Sequence, residues 1–322
     1  MARRTLSSPP GMLPLYARSG AAMIPGASLL GFLPGGGGEI PELELELAGV
    51  RTEPGALAAY AKVCGFALRG QLPATYPHVL AFPLQMAVMA DGHFPFGPVG
   101  LVHVENRILQ HRPIALGEEL SLCVRPTALR EHPRGSTFAL LTEARVDGEK
   151  VWESTSTMLR RGGGQGGSAA AANPGSDTTP GSGSDPGSDT DPGSDTDPGP
   201  AASVWRLGGD LGRRYAAVSG DRNPIHMHSL AAKAFGFPGA IAHGMWSKAK
   251  ALAALEGRLP DSFGVEVSFR KPIVLPAGVE FESRQQDREI EFAIRDAKRH
   301  APHLNGRVWP IEPKSKTTGE AQ

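Results

Sequence analysis

Cysteine is nearly absent from this chain of 322 residues, which contains only Cys64 and Cys123. The two lie far apart and lack the short spacing of metal ligands, so we expect two small buried side chains of a reduced protein rather than a disulfide or a zinc site. An excess of charge is lacking too, because 33 Lys and Arg residues match 33 Asp and Glu residues. Without a basic excess we expect no nucleic-acid partner, and no basic patch for phosphate groups is legible in the sequence.

Long apolar runs are also missing. No stretch comes near the roughly 18 uninterrupted apolar residues of a transmembrane helix, so no membrane partner is expected. Arg3 and Arg4 resemble the basic start of a signal peptide, but Pro and Gly residues between positions 9 and 25 interrupt the apolar residues that follow. These absences favour a cytoplasmic protein.

Apolar side chains larger than Ala are absent from residues 162–202, which consist of a Gly-rich start followed by repeats of Asp, Pro, Gly, Ser and Thr. Such a segment cannot bury enough surface to offset the entropy lost on ordering it, so we predict a disordered linker. The Asp residues do not predict a calcium site, because calcium-binding repeats also need aliphatic residues. The linker divides the chain into parts 1–161 and 203–309, and the tail 310–322 is expected to be disordered.

Both parts show helix patterns followed by strand patterns. The predicted helical or apolar segments are 54–63, 79–90, 210–218, 229–235 and 244–256, and the predicted strands are 40–50, 99–108, 119–126, 136–146, 150–160, 265–270, 279–284, 290–296 and 304–308. Residues 111–116 (HRPIAL) resemble 270–275 (RKPIVL), and residues 80–84 (LAFPL) take the place of 241–245 (IAHGM). Because the two matches occur in the same order, they favour an internal duplication.

The chemistry-bearing residues are concentrated between positions 215 and 245. Asn223 precedes a proline and so favours an extended or turn conformation, which predicts that Asp221, Asn223 and His226 share one irregular loop. A carboxylate and an imidazole at this spacing can hold one water molecule between them. Gly244 then opens an apolar segment, and a helix that starts there presents free N–H groups that can stabilise an oxyanion.

Each of these features has a plain structural interpretation when taken alone. The Asp-X-Asn-Pro sequence at 221–224 is compatible with an ordinary Asx turn, and His243 followed by Gly244 with an ordinary helix start. An acid, an amide and an imidazole within six residues, followed by a glycine that opens an apolar helix, favour an active site instead. His228 is expected to be a simple loop residue.

Residues 219–226 (SGDRNPIH) and 241–246 (IAHGMW) together resemble the hydratase 2 motif of the MaoC-like dehydratase family, which contains the type 2, R-specific enoyl-CoA hydratases. The strongest likeness covers residues 205–282. The remainder, 1–161, resembles the degenerate N-terminal half of the two-domain members. The resemblance implies an α+β double hotdog fold, in which two halves of one chain each wrap an antiparallel sheet around a long apolar helix, here 79–90 and 244–256.

The resemblance also assigns roles. Asp221 and His226 become the catalytic pair, with Asn223 as an accessory group and the Gly244 N–H as the oxyanion donor. His243, Gly244 and Met245 are expected to contact the substrate. That substrate is implied to be an acyl-CoA or acyl-carrier-protein thioester, with no metal or redox cofactor. The two halves are expected to pair as a pseudo-dimer within the chain, and a homodimer of whole chains stays open.

The implied reaction is reversible hydration of trans-2-enoyl thioesters to (3R)-hydroxyacyl thioesters. The N-terminal half departs from the motif, with CGFAL at 64–68 and Pro83 in the place of Gly244, so it is expected to be inert and to shape an acyl tunnel. One alternative is a non-catalytic scaffold that binds acyl thioesters, which would have no need for Asp221 and His226. Thioester hydrolysis is disfavoured, because the segment after Gly244 has no acid before Glu256.

Overall fold

The computed structural model describes residues 2–21, 38–98, 100–161 and 203–312. The predicted linker, 162–202, lies outside the described residues, as does the end of the predicted tail, 313–322. The first residues of the predicted tail do not match the prediction of disorder. Pro310 closes a strand, and the N–H of Ile311 donates to the carbonyl of Ser262 at 3.2 Å, so the ordered chain continues past the predicted boundary.

The N-terminal half begins with a strand and a helix that the sequence did not predict. Its elements are β1 (Ala2–Leu6), α1 (Met12–Ala21), β2 (Leu43–Val50), α2 (Pro54–Cys64), α3 (Tyr76–Met89), β3 (Val102–Gln110), β4 (Leu120–Pro126), β5 (Arg130–His132), β6 (Gly135–Val146) and β7 (Glu149–Arg161). Pro14 was expected to break up this region, but it lies in the first turn of α1, where a proline costs little because the N–H there has no helical partner.

The C-terminal half has a similar order of elements. They are β8 (Ser203–Leu207), α4 (Leu211–Ser219), α5 (Pro224–Met227), α6 (Ser229–Ala234), α7 (Gly244–Leu255) with a short 3-10 turn at Glu256–Arg258, β9 (Phe263–Phe269), β10 (Ala277–Gln286), β11 (Glu289–Asp296) and β12 (Pro302–Pro310). The sequence did not predict β8, and it placed the residues of α5 in a loop.

The strands form one continuous sheet in the order β1-β2-β4-β6-β7-β3-β9-β12-β11-β10-β8, with β5 attached to β6. The halves join where β3 lies antiparallel to β9, with residues 105–110 opposite residues 263–268. Among the strand pairs of the described residues, only β1 with β2 is parallel.

Each half of the sheet curves around one apolar helix. Helix α3 packs on β2, β4 and β6, and helix α7 packs on β11. Helix α7 buries Met245, Trp246, Leu252 and Leu255, each 6% exposed or less, and α3 buries a comparable apolar set. The α+β double hotdog fold expected from the sequence is therefore confirmed. No helix in the described residues is long and apolar enough to cross a membrane, and the cytoplasmic location stays a prediction.

A buried lysine fastens α7 to the junction of the two halves. Lys248 is fully buried, and its Nζ donates to the Oδ1 (2.6 Å) and carbonyl oxygen (3.1 Å) of Asn106 in β3 and to the carbonyl of Val265 in β9 (3.3 Å). Burial lowers the pKa of Lys248 well below its usual value. Three oxygen acceptors surround the amino group, which explains how a lysine fits in a segment that the sequence pattern described as apolar.

The hydrogen-bond register confirms one proposed match between the halves and corrects the other. Gln71 bridges Ala115 just as Ile241 bridges Val274, so 111–116 does correspond to 270–275. By the same register Gln71, and not residue 80, is the counterpart of Ile241. Pro83 lies inside α3 rather than at its start, so it does not stand where Gly244 stands, and the sequence comparison was wrong at this point.

The two cysteines also differ from each other. Cys64 is fully buried, as expected, whereas Cys123 is only partly buried, and both are free thiols. Burial raises the pKa of each to about 12, so neither is a reactive thiolate at neutral pH.

Candidate active site

A cavity of about 820 Å³ lies between the halves and takes its walls from both. From the C-terminal half come all six residues that the sequence singled out: Asp221, Asn223, His226, His243, Gly244 and Met245. The N-terminal half supplies the opposite wall from α3, β3, β6 and β7. His228 is exposed and does not line the cavity, in agreement with its expected place in a loop.

Asp221 lies in a tight turn directly after α4. Gly220 ends that helix with a left-handed backbone (φ 77°), a conformation that glycine adopts without strain. The N–H of Asp221 then donates to Ser219 Oγ at 3.2 Å, and its own Oδ1 accepts the N–H of Asn223 at 3.1 Å. These bonds hold the Asp221 carboxylate at the cavity wall.

Asp221 and Asn223 lie outside helices and strands, as expected, but His226 lies in a short helix, which corrects that part of the expectation. Asn223 is the N-cap of the short helix α5, and its Oδ1 accepts the N–H of Ile225 at 3.4 Å. His226 lies within that helix, which a proline at the first position favours. The side-chain oxygen of Asn223 is therefore engaged in capping, while the rigid turn fixes the position of the imidazole.

His226 is held so that one ring nitrogen stays available. Its Nδ1 donates to the carbonyl of Ile241 at 2.8 Å, which leaves Nε2 as the acceptor in the neutral ring. Its backbone packs against Gly212 of α4 so closely that a Cβ there would overlap the His226 carbonyl oxygen. Gly212 is thus required for the approach of α4 to α5, and the sequence analysis did not single it out.

His243 connects the two members of the expected catalytic pair. Its ring stacks on that of His226 with centroids 3.7 Å apart, and its Nε2 donates to the backbone carbonyl of Asp221 at 3.0 Å. The same Nε2 lies 3.8 Å from Asp221 Oδ2. The Nδ1 of His243 is buried and has no hydrogen-bond partner within the described residues.

Burial decides the charges of these groups. It lowers the pKa of His226 below its ordinary value, and it lowers that of His243 to about 3 with help from the neighbouring His226. Burial opposes ionisation of Asp221, but His243, His226 and the Asn223 N–H outweigh it and hold the pKa of this carboxyl below its usual range. At neutral pH the site therefore holds a carboxylate next to two neutral imidazoles.

The start of α7 faces the same cavity. His243 is extended (φ −69°, ψ 137°) and Gly244 is the first helical residue, so the Gly244 N–H has no acceptor within the helix. No other described residue accepts a hydrogen bond from it. A Cβ at Gly244 would come within 3.0 Å of the Phe269 ring. Met245 is buried beside it. The Gly244 N–H thus has no partner in the described part of the chain and lies at the cavity, and the helix dipole adds to its positive charge.

The N-terminal half contributes polar groups that the sequence analysis missed. His78 and His103 stack at 6.4 Å between ring centroids, and the Gln85 amide donates to His78 Nδ1 at 3.3 Å. Burial lowers the pKa of His78 to about 4 and that of His103 to about 3, so both rings are neutral. Phe82 and Met89 add apolar surface. No local motif marks these residues, because α3 and β3 are separate in sequence and only the folded N-terminal half brings their side chains together.

Four exposed cations also line this cavity: Arg134, Lys233, Arg270 and Lys271. None of them forms an ion pair with a carboxylate in the described part of the chain. They come from three separate stretches of sequence, so their grouping was not legible there. Together they form a cationic rim that can bind phosphate groups.

Asp221, His226 and His243 also have the composition of a metal site. Their potential ligand atoms all lie within 4.8 Å of one another. Two neutral imidazoles and a carboxylate are ligands that zinc accepts.

Comparisons with known proteins converge on one family. Residues 208–305 match the family described as "MaoC like domain". The chain is 35% identical over 270 residues to 3-hydroxyacyl-thioester dehydratase X of Mycobacterium tuberculosis, across 84% of this chain and 90% of that protein. A crystal structure of M. tuberculosis HtdX superposes with a TM-score of 0.70 at 34% identity, covering 83% of this chain and all of that one. A MaoC-like dehydratase from Phytophthora capsici shares the fold, with a TM-score of 0.65 at 18% identity over 86% of this chain and 98% of that one.

Proposed function

The chain belongs to the MaoC-like dehydratase family, and on that premise we propose that it is a hydro-lyase that adds water to trans-2-enoyl thioesters and removes it from (3R)-hydroxyacyl thioesters. The observation that carries the proposal is the grouping of an ionised carboxylate, a neutral imidazole with a free nitrogen and a free helix-start N–H around one cavity. Fatty acyl metabolism is the setting that such a substrate implies.

The first step is activation of water. Asp221 and His226 Nε2 both offer acceptors for the two hydrogens of one water molecule, because the carboxylate is charged and the imidazole is neutral. As the water oxygen bonds to C3 of the substrate, one of the two groups takes a proton. General-base assistance of this kind contributes roughly 10²–10⁴-fold in rate.

The second step is stabilisation of the enolate. When the C3–O bond forms, the electrons of the C2–C3 double bond move toward the thioester carbonyl, and negative charge develops on its oxygen. The Gly244 N–H can donate to that oxygen and so stabilise the charge as it develops. The proton taken from water then returns to C2 on the same face, which restores the thioester and the base. Dehydration is the same sequence in reverse.

The cationic rim supports a substrate that carries phosphate. Both acyl-CoA and the phosphopantetheine arm of an acyl carrier protein carry phosphate at the end of the arm opposite the thioester, and Arg134, Lys233, Arg270 and Lys271 can bind it at the cavity edge. The apolar wall from Phe82, Met89 and Leu159 suits the acyl chain. The two halves act as a pseudo-dimer in this proposal, and a homodimer of chains remains a prediction that light scattering can test.

Thioester hydrolysis fits the site less well. It would need an acid on the wrapped helix, but Glu256 lies beyond α7, accepts the Ala67 N–H at 3.0 Å and lies 3.5 Å from Arg69. It does not line the cavity. A scaffold that only binds thioesters would not need Asp221 and His226 together at the cavity.

The test is an assay of the purified chain with crotonyl-CoA, a longer trans-2-enoyl-CoA and the matching acyl-carrier-protein thioester. We expect loss of the enoyl absorbance without release of free thiol, and a product of (3R) configuration. If none of the three substrates is hydrated, the proposed function is wrong. Release of thiol instead would support the hydrolase alternative.

A further inference from the structure

The N-terminal segment, residues 2–21, is anchored on the N-terminal half of the sheet. Strand β1 pairs in parallel with β2, from Ala2 opposite Leu43 to Leu6 opposite Leu47. Arg4 lies 3.5 Å from Asp91, which follows α3. Helix α1 then packs on α3, and its Leu15 is buried. Helix α1 therefore has a fixed position relative to the cavity wall formed by α3.

One side chain of α1 reaches across to the C-terminal half. The Tyr16 hydroxyl donates to the carbonyl of Gly220 at 3.1 Å and accepts the N–H of Arg222 at 2.6 Å. These two backbone groups lie on either side of Asp221. A single phenol oxygen thus holds the chain immediately before and after the carboxylate that activates water.

The environment of this phenol favours both bonds. Burial and the nearby charge of Asp221 raise the pKa of Tyr16 above its ordinary value, so the hydroxyl keeps its proton and can donate and accept at once. The turn it holds is short, and Gly220 gives it a left-handed backbone. The other bonds of the turn, to Ser219 Oγ, to Asn223 and from His243 to the Asp221 carbonyl, all lie within the C-terminal half, so they do not fix the turn relative to the other half.

We propose that Tyr16 is a positioning residue that holds the turn carrying Asp221 at the distance from His226 that water activation requires. The proposal rests on the proposed hydratase function. Tyr16 is not among the residues that line the cavity, so it acts through Asp221 and not by touching the substrate. The N-terminal half thereby contributes to the geometry of the chemistry as well as to the wall of the cavity.

The test is Tyr16→Phe, which removes one oxygen atom and leaves the ring. We expect kcat to fall roughly 10-fold, because a small displacement of a catalytic group slows the chemical step, while KM stays within about two-fold, because the cavity wall is unchanged. Tyr60→Phe is the matched control. It removes a buried hydroxyl that donates to Thr75 Oγ1 at 2.8 Å and not to the backbone of the Asp221 turn, and it should leave kcat close to wild type.

A double variant separates positioning from a general structural effect. If Tyr16 acts through Asp221, then Tyr16→Phe should cause little further loss in an Asp221→Asn background, since the two effects are not independent. Equal losses in both backgrounds would overturn the proposal. So would an unchanged kcat in Tyr16→Phe, or a rise in KM that accounts for the whole loss.

A measurement that does not depend on enzymatic activity tests this inference separately from the proposed function. Amide hydrogen exchange at Arg222 should be faster in Tyr16→Phe than in the wild-type protein, because its N–H loses its acceptor. If the wild-type chain hydrates no enoyl thioester, the proposed function fails, whereas unchanged exchange at Arg222 in the variant would show that the hydroxyl does not hold the turn.

Discussion

The segments that lead to the wrapped helices differ in length between the two halves. In each half a helix, α2 or α4, is followed by a left-handed glycine, Gly65 (φ 91°) or Gly220 (φ 77°). In each half an isolated β-bridge of the same register precedes the wrapped helix. Between these two points the N-terminal half has only residues 66–70, whereas the C-terminal half has residues 221–240. Asp221, Asn223 and His226 all lie in the longer connection.

This difference indicates that the fold and the chemistry are separable in this molecule. The N-terminal half completes its hotdog with the shorter connection and without helices equivalent to α5 and α6. The extra residues of the C-terminal half form α5 and α6, which place the acid and the imidazole at the cavity. The N-terminal half uses its facing surface as a wall, built from Phe82, His78 and His103.

The first residues of the two wrapped helices, α7 and α3, differ as well. Helix α7 opens with Gly244, whose N–H is free to face a ligand. Helix α3 opens with Tyr76, whose N–H already donates to Pro73 at 2.7 Å, followed by Pro77, which has no N–H. Trp152 Nε1 also donates to the carbonyl of Ala74 at 2.7 Å. The first two residues of α3 therefore offer no free N–H to a ligand, and the reason is not Pro83.

The largest effect is expected from loss of the imidazole that the longer connection supplies. His226→Gln should lower kcat for enoyl-CoA hydration by roughly 10²–10⁴-fold, because the acceptor for the water proton is removed. His228→Gln, two residues away and exposed, is the control and should retain wild-type activity. Similar rates in the two variants would mean that the longer connection does not carry the chemistry.

The next effect tests the free N–H of α7. Gly244→Pro removes that N–H, and the extended backbone of His243 (φ −69°, ψ 137°) accepts a following proline. Gly244→Ala keeps the N–H but also introduces a carbon against Phe269. We expect kcat to be roughly 10²–10³-fold lower in the proline variant than in the alanine variant. Equal rates would refute the role of this N–H as an oxyanion donor.

A third substitution tests how closely α4 must approach α5. Gly212→Ala would place a Cβ over the His226 carbonyl oxygen, so α5 has to move and the imidazole with it. We expect kcat to fall roughly 10²-fold, because catalytic groups tolerate little displacement. Gly209→Ala, at a position with no atom near the added carbon, should be close to wild type. The account of His226 placement fails if both variants are fully active.

The neutral histidines predict a dependence of stability on pH. The pKa values of His78, His103 and His243, about 4, 3 and 3, lie below the ordinary 6.5, so between these values the unfolded chain binds more protons than the folded one. Stability should therefore be highest above pH 6.5 and fall as the pH drops toward 4, by about 1–2 kcal/mol for each histidine at pH 5.

Thermal unfolding from pH 5 to pH 8 measures this dependence. His103→Phe removes one titrating ring whose Nε2 is buried without a partner in the described residues, so the variant should lose less stability on acidification than wild type. A pH dependence identical to that of the wild-type protein would contradict the burial of a neutral His103.

The smallest effect is expected at the cationic rim. Arg270→Ser with Lys271→Ser should raise KM for an enoyl-CoA several-fold, roughly 3- to 10-fold, and weaken its dependence on salt, because exposed charges contribute little each. The KM for the matching enoyl-pantetheine, which has no phosphate, should not change. Lys298→Ser is the control, since Lys298 is exposed and does not line the cavity. An equal rise for both substrates would argue against phosphate binding here.

Much of the fold could be predicted where the pattern is strong and local. Alternating Leu and Glu predicted β2, and the apolar run after Gly244 predicted α7 almost to the residue. The misses were β1, α1 and β8, which lie near breaks or Pro-rich sequence, and β5 and α5, which are too short to show a period. Pro83 was misplaced because a five-residue likeness carries less information than the hydrogen-bond register.

The site was predictable only where its residues are close in sequence. Asp221, His226 and Gly244 could be found because they lie within one short stretch. His78, His103, Tyr16 and the cationic rim could not, since they come from distant stretches of sequence that meet at the cavity only in the folded chain. The stacking of His243 on His226 likewise depends on how α5 packs beside the start of α7.

The most direct test of the central claim is the hydration rate of Asp221→Asn measured beside the wild-type chain with one enoyl-CoA. Asparagine preserves the shape of the side chain and the oxygen that accepts the Asn223 N–H, and it removes only the charge. The account predicts an active wild type and a loss of roughly 10²–10⁴-fold in kcat in a variant that stays folded. A variant as active as the wild type would contradict the claim that the carboxylate of the C-terminal half carries the reaction.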